Sequence, residues 1–223
     1  MMSNGDIHGN REYSGILQGI RHCCQSTVII EREKVVYVDP FKIEGNPADA
    51  DVILCTHDHF DHLSVKDIER IMTETTVLVV PKKAAKKFKK FPVAEVIGVV
   101  PFEEHQLEGL SFKTVPAYNI KKWFHPKRKK WVGYIVQMEG AAYYFAGDTD
   151  HIPEMADIET DVAFLPVGGK YTMDALEAAE AANTIGPKVA IPIHFADVVG
   201  TPEDAQTFVQ HLNDPIAGVI LKT

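Results

Sequence analysis

The sequence contains no apolar run approaching the ~20 residues that a membrane-spanning helix needs. It is poor in cysteine. Cys23, Cys24 and Cys55 are odd in number and scattered, which makes no disulfide framework and fits a reducing compartment. It also lacks positive charge: 23 Lys and Arg stand against 31 Asp and Glu, a formal net charge of −8. Such a field repels nucleic acid and anionic membranes, so an anionic substrate needs a local basic patch or a metal ion. The opening residues Met1-Met2-Ser3-Asn4-Gly5-Asp6 lack the apolar core of a signal peptide, and a cytoplasmic protein is expected. No Pro-, Gly- or Ser-rich linker, low-complexity tract or close repeat divides the chain. The expected organisation is a polar tail over 1–13 and one domain over 14–223.

What is present suffices for a large core. Hydrophobic residues make up 45% and charged residues 24% of the 223 positions, which excludes disorder as the main state. Short β-rich runs alternate with helical patterns. Ser26–Ile30 and Val35–Asp39 read as a hairpin, and Val52–Cys55 as a short buried strand. Ser64 has the character of an N-cap, with Asp67 at the third helical position and an apolar stripe of Val65, Ile68, Ile71 and Met72. Val77–Val80, Val96–Val100, Phe112–Val115, Val132–Met138, Ala142–Ala146, Asp161–Pro166, Val189–Ile193 and Ile216–Leu221 read as further strands. Helices are expected over 82–90, from about Asp174 to a Gly186-Pro187 stop, and after Thr201-Pro202. Two packed mixed sheets with helices outside accommodate this order.

The chemistry concentrates after the strand at 52–55. His57, His59, Asp61 and His62 fall within six residues where a buried strand ends and the chain turns. Imidazole and carboxylate suit zinc, and also manganese or iron. Four such groups exceed what one tetrahedral ion takes from a single segment, which points to two adjacent ions. Asp148 and His194 also emerge from apolar strands, where rigid elements would hold a ligand. A turn aspartate or a capped histidine is the plainer alternative for either taken alone.

His57-Asp58-His59-Phe60-Asp61-His62 resembles the H-x-H-x-D-H signature of the metallo-β-lactamase superfamily. Gly147-Asp148-Thr149 resembles its bridging-aspartate segment, and Pro192-Ile193-His194-Phe195 its last metal histidine. Pro116-Ala117-Tyr118-Asn119 and Leu165-Pro166-Val167-Gly168-Gly169-Lys170-Tyr171-Thr172-Met173 are similar to small metal-dependent hydrolases related to L-ascorbate-6-phosphate lactonase. The resemblance implies an α/β fold, the αββα sandwich. It implies two divalent ions, zinc ahead of manganese or iron. His57 and His59 would bind one, Asp61, His62 and His194 the other, and Asp148 would bridge them. A metal-bound hydroxide, its water pKa brought towards ~7, would be the nucleophile, with Asp61 orienting it as well as ligating. Many relatives supply a third histidine to the first metal. Here Asn119 stands near that position and His125 is the nearest histidine after it, so a weakly or partly occupied first site is expected.

Other motifs stand beside these. Gly5-Asp6-Ile7-His8-Gly9-Asn10 resembles the opening of calcineurin-like phosphoesterases, but only four residues precede it, too few for the strand that motif needs. In the 82–90 segment, six lysines face one way while Ala84, Phe88 and Phe91 face the other, which reads as a solvated face over an apolar stripe rather than a nucleic-acid contact. The segment 121–131 interleaves basic residues with Trp123 and Trp131. It is either a surface hairpin or a rim in which Trp123, Lys127 and Arg128 grip an anionic or phosphorylated substrate. Gly168 and Gly169 begin a helix approach whose N–H groups could hold an anion. Lys170 and Tyr171 would then serve as electrophile or proton donor.

The expectation is a metal-dependent hydrolase acting on an ester, lactone or phosphoester of a small molecule, with the lactone slightly ahead. The alternatives are a nuclease or nucleotide phosphodiesterase of the same superfamily and, from another class, a non-catalytic metal-binding protein.

Overall fold

The computed structural model describes residues 13–221. The polar tail and the Gly5–Asn10 motif therefore lie outside the described residues, apart from Tyr13. After a single helical turn, α1 (Ser14–Leu17), the first half of the chain forms β1 (Ile20–Cys24), β2 (Thr27–Glu31), β3 (Val35–Val38), β4 (Val52–Leu54), β5 (Val77–Pro81) and β6 (Glu95–Val99). These pair in sequence order as a six-stranded sheet. The β1–β2–β3 meander is antiparallel, and β3 through β6 run parallel.

The second half supplies β7 (Glu104–Leu107), β8 (Leu110–Pro116), β9 (Val132–Met138), β10 (Ala141–Phe145), β11 (Val162–Pro166), β12 (Val189–Ile193) and β13 (Ala217–Gly218), again in order. Strands β7 to β10 are antiparallel, and β10 to β13 parallel. The parallel strands β10, β11 and β12 are buried at every position, as strands covered on both faces must be. β8 alternates, with Lys113 outward and Phe112 and Thr114 inward.

Three apolar layers hold the sandwich. The central one joins the inner faces of both sheets through Val28, Ile30, Leu54, Phe112, Tyr134, Phe145, Phe164 and Ile191. A second lies between the seven-stranded sheet and α3 (Ala175–Ile185) and α4 (Pro202–Gln210), filled by Leu165, Ala178, Ala182 and Phe208. A third lies under α2 (Val65–Ile71), where Ile68 and Ile71 meet Ile53 and Leu78. The helix ends follow their side chains. Ser64 accepts from the Asp67 N–H, Asp174 accepts from the Glu177 N–H, Gly186 closes α3 in the left-handed region, and Thr201 and Asp204 form a capping box. No helix of the described residues is long and apolar enough to cross a membrane.

The segment 82–90 differs from expectation. Only Ala85–Phe88 is helical, as a single 3-10 turn. Lys82/Lys86, Lys83/Lys87 and Lys86/Lys90 would place like charges one helical turn apart, and Ala84 offers no side-chain cap. Ala84 and Phe88 are nonetheless buried while all six lysines are exposed, so the apolar stripe packs as expected. β1 and β7 carry polar sequences that hid them, and the last strand shrinks to Ala217–Gly218.

Candidate metal centre

The strand directions gather every candidate ligand at one edge. β3 and β4 end together on one sheet, and β8, β10, β11 and β12 end together on the other. The loops after β4, β8, β10 and β12 carry His57–His62, His125, Asp148 and His194. The histidine loop is pinned at both ends, by fully buried β4 and by the capped helix α2. Between them the His62 and Leu63 N–H groups turn back onto the His59 carbonyl. Gly147, at φ +65°, brings the backbone against Thr56, where a Cβ would lie 2.9 Å from the Thr56 Cβ. That close approach delivers Asp148 to the cluster.

Two groups of potential metal-ligating atoms result, each with its atoms within 4.8 Å of one another: His57, His59, His125 and Asp148, and then Asp61, His62 and His194. In the first, His59 Nδ1 lies 3.0 Å from His57 Nε2 and 3.2 Å from His125 Nε2. Asp148 stands between the groups. Its Oδ2 is 3.2 Å from His125 Nε2 and 3.3 Å from His194 Nε2, and its Oδ1 is 3.2 Å from His62 Nε2. In the second, Asp61 Oδ2 is 3.6 Å from His62 Nε2 and 3.9 Å from His194 Nε2. All of these residues are buried except His59, which is partly open to solvent.

The electrostatics follow from burial and from the two carboxylates. Burial alone would raise the Asp148 carboxyl, but His194 and His62 outweigh it and hold Asp148 well below the usual carboxylate range. Burial would lower His62, but Asp148 and Asp39 overcome this and raise it well above the ordinary imidazole value. Burial pushes His57 well down, with neighbouring His62 adding to the effect, and lowers His59, helped by His125.

The donor set fits divalent metal. His62 Nε2 and Asp148 Oδ1 are buried without a hydrogen-bond partner, and both face the shared space. Metal–nitrogen bonds of ~2.0–2.1 Å in tetrahedral geometry place neighbouring ligand atoms ~3.3 Å apart. The 3.0–3.3 Å spacings among His57, His59, His125, His62, His194 and Asp148 match that edge.

Comparison with known proteins agrees. The family profile described as the beta-lactamase superfamily domain matches residues 20–194. The chain belongs to the metallo-β-lactamase superfamily. It is similar to a UPF0173 metal-dependent hydrolase of Methanoregula boonei, 33% identical over 202 residues that span 86% of this chain and 87% of that one. One of Thermoplasma acidophilum is 32% identical, covering 78% and 80%. Among solved structures, a protein of Parabacteroides distasonis assigned as a metal-dependent hydrolase superposes with a TM-score of 0.79 at 29% identity, covering 91% of each chain. The chain is thus a metal-dependent hydrolase with a His/Asp cluster capable of binding metal.

Of the two residues weighed for the first half-site, Asn119 and His125, it is His125 that lies with His57 and His59. Both ends of the Asn119 amide are taken by protein groups. Its Oδ1 accepts from the His125 N–H (2.9 Å) and faces His125 Nδ1 (3.0 Å), and its Nδ2 donates to Asp150 Oδ1 (2.9 Å) and the Tyr171 carbonyl (3.0 Å). Asn119 therefore orients His125, and His125 completes a three-imidazole set.

The substrate-binding and proton-donor candidates lie around this core. Lys170 is exposed, with Nζ 5.0 Å from the Tyr171 ring centre, and Tyr171 contacts the site through its carbonyl, which faces His125 Nδ1 at 3.2 Å. The Gly169 and Lys170 N–H groups already donate to the Met173 and Gly168 carbonyls, so they are not free for an anion. Trp123 is 89% exposed, and Arg128 is exposed. Lys127 is engaged by Glu154 (2.9 Å) and the Tyr118 hydroxyl (3.1 Å). Trp131 is buried and forms a wall of the first half-site, 5.0 Å from His57, 4.9 Å from His59 and 5.5 Å from His125 between ring centres.

Two residues at the site, Asp39 and Gln25, escaped the sequence reading. They follow β3 and β1 in the left-handed region, at φ 47° each, a conformation that turn residues adopt without any functional signal. Gly168 admits no side chain, because a Cβ there would lie 2.6 Å from the His194 carbonyl oxygen and 3.0 Å from its Nδ1.

Proposed function

We propose that His57, His59 and His125 hold one divalent ion, that Asp61, His62 and His194 hold a second, and that Asp148 is shared. We propose further that this centre hydrolyses an ester, lactone or phosphoester of a small molecule. The observation that carries the reading is the position of Asp148, with both carboxylate oxygens 3.2–3.3 Å from histidines of the two groups. Bound ions supply Lewis acidity and bring the pKa of water towards ~7.

The chain's own groups do the rest. Asp148 keeps the two groups in register, and its depressed pKa leaves it anionic. Asp61 is oriented by the Gln25 amide, which donates to its Oδ2 at 3.0 Å, and so presents a fixed acceptor to the reacting water. Trp131 excludes bulk water from the first half-site. Zinc is favoured by seven imidazole and carboxylate donors held at strand ends, with manganese next.

A lactone is placed ahead of a phosphodiester because of the resemblance of residues 165–173 to ascorbate-6-phosphate lactonases. The local basic residues suit an anionic substrate in either case, against the net charge of −8. A screen of lactones, esters and phosphodiesters with zinc- and manganese-loaded protein tests the reading. Metal-dependent turnover of a lactone that His125→Ala and His194→Ala both abolish is the expected result. Turnover that survives complete metal removal would sink it.

A further inference from the structure

Gln25 lies beside Asp61 and His194 of the second half-site and is fully buried, in the turn that leaves β1. Its main-chain oxygen accepts from the His194 N–H, which ties the turn to the His194 loop. The carboxamide is oriented by its surroundings. Oε1 accepts from the Val198 N–H at 3.3 Å, while Nε2 lies 3.0 Å from Asp61 Oδ2 and 2.8 Å from His194 Nε2. Turning the amide over would set its oxygen against the Asp61 carboxylate and its NH2 against a backbone donor, so the NH2 end faces the site.

We propose that Gln25 is a substrate-binding residue whose carboxamide N–H recognises an oxygen of an anionic substrate at the second half-site. The proposal rests on the two-ion reading. His194 Nε2 offers a single lone pair. Once an ion takes it, the Gln25 N–H that points there loses its acceptor, while the other N–H stays on Asp61. A buried donor left unpaired is costly, and the Gln25 N–H regains an acceptor when a phosphoryl or carboxylate oxygen held by the ion comes within its reach. The group is neutral, so it adds direction without adding to the charge that the ions already supply.

The test uses full-length protein loaded with zinc, its metal content counted by elemental analysis, and inorganic phosphate titrated by calorimetry. Gln25→Met keeps the length and loses the donor. Gln25→Glu keeps an acceptor for the Val198 N–H but turns a carboxylate oxygen towards the site. The expected results are two ions in wild type and Gln25→Met, phosphate binding weakened by about tenfold in Gln25→Met, the worth of one good hydrogen bond, and no phosphate binding by Gln25→Glu. Competition with a chelator should show that Gln25→Glu holds zinc more tightly than wild type. Two-ion wild type that binds no phosphate, or two-ion Gln25→Met with wild-type phosphate affinity, overturns the proposal. If Gln25→Met does not fold, Gln25→Glu decides, because wild-type phosphate binding there marks a purely structural amide. Wild type with fewer than two ions overturns the two-ion reading and the proposal with it, and the metal count alone identifies that case.

Discussion

The Asp39 carboxylate holds His62 from behind: its Oδ2 accepts from His62 Nδ1 at 2.7 Å, and both side chains are buried. Asp39 is itself fixed by the Thr56 N–H and the Thr56 hydroxyl, each at 2.7 Å. The bond sets the His62 tautomer and leaves Nε2 facing Asp148. Removing the carboxylate should loosen the ring without touching a ligand. Asp39→Ala is expected to lower metal affinity at the second half-site by about 10–100-fold, measured by competitive chelation. Unchanged affinity in a folded variant would show that Asp39 only supports the backbone.

Asn119 plays the corresponding part for His125. Asn119→Ala removes the acceptor for the His125 N–H and the nearer of two acceptors for its ring nitrogen, leaving the Tyr171 carbonyl at 3.2 Å, so the first half-site should weaken by about 10–100-fold while the second changes little. Stepwise loss of ions under chelation checks this. Equal weakening of both half-sites would contradict the division of ligands.

His62 is raised well above the ordinary imidazole value by Asp148 and Asp39, which overcome its burial. In the metal-free protein this raised pKa contributes stability that is fully present below the unfolded value of ~6.5 and is lost as pH rises through the folded value. A metal ligand must be unprotonated, so uptake near neutral pH should release a proton and tighten as pH rises. Zinc titrations in buffers of different ionisation enthalpy measure the release. Heats independent of the buffer would contradict it.

The basic loop divides into committed and free positions. Lys127 joins Glu154 and the Tyr118 hydroxyl at an exposed surface, where solvent screens the pair and leaves it little weight in stability. Lys127→Met should therefore lower the Tm slightly and leave KM unchanged. Arg128→Ser and Trp123→Ser should leave the Tm unchanged and raise KM for an anionic substrate, with the Arg128 effect shrinking in high salt. Wild-type KM in both at low salt would remove the loop from substrate binding.

Most of the candidate cluster is legible in the sequence because its chemistry is local. His57, His59, Asp61 and His62 fit one short loop, and Asp148 and His194 stand out as polar groups closing apolar strands. The choice between Asn119 and His125 could not be read, because the two share one loop and bond to each other. Asp39 and Gln25 stayed hidden because a polar residue after a strand ordinarily marks a turn, and only the meeting of two sheet edges gives them partners. The lysine-rich segment read as helix because apolar periodicity takes no account of repulsion between lysines one turn apart.

The central claim is a two-ion centre built from two ligand groups that share Asp148. Zinc-saturated protein, washed of loose metal and crystallised, should show two anomalous zinc peaks: one among His57, His59 and His125, one among Asp61, His62 and His194, both next to Asp148. In His125→Ala only the second peak should persist at full occupancy. A single peak in the wild type, or a first peak unaffected by loss of His125, would contradict the account.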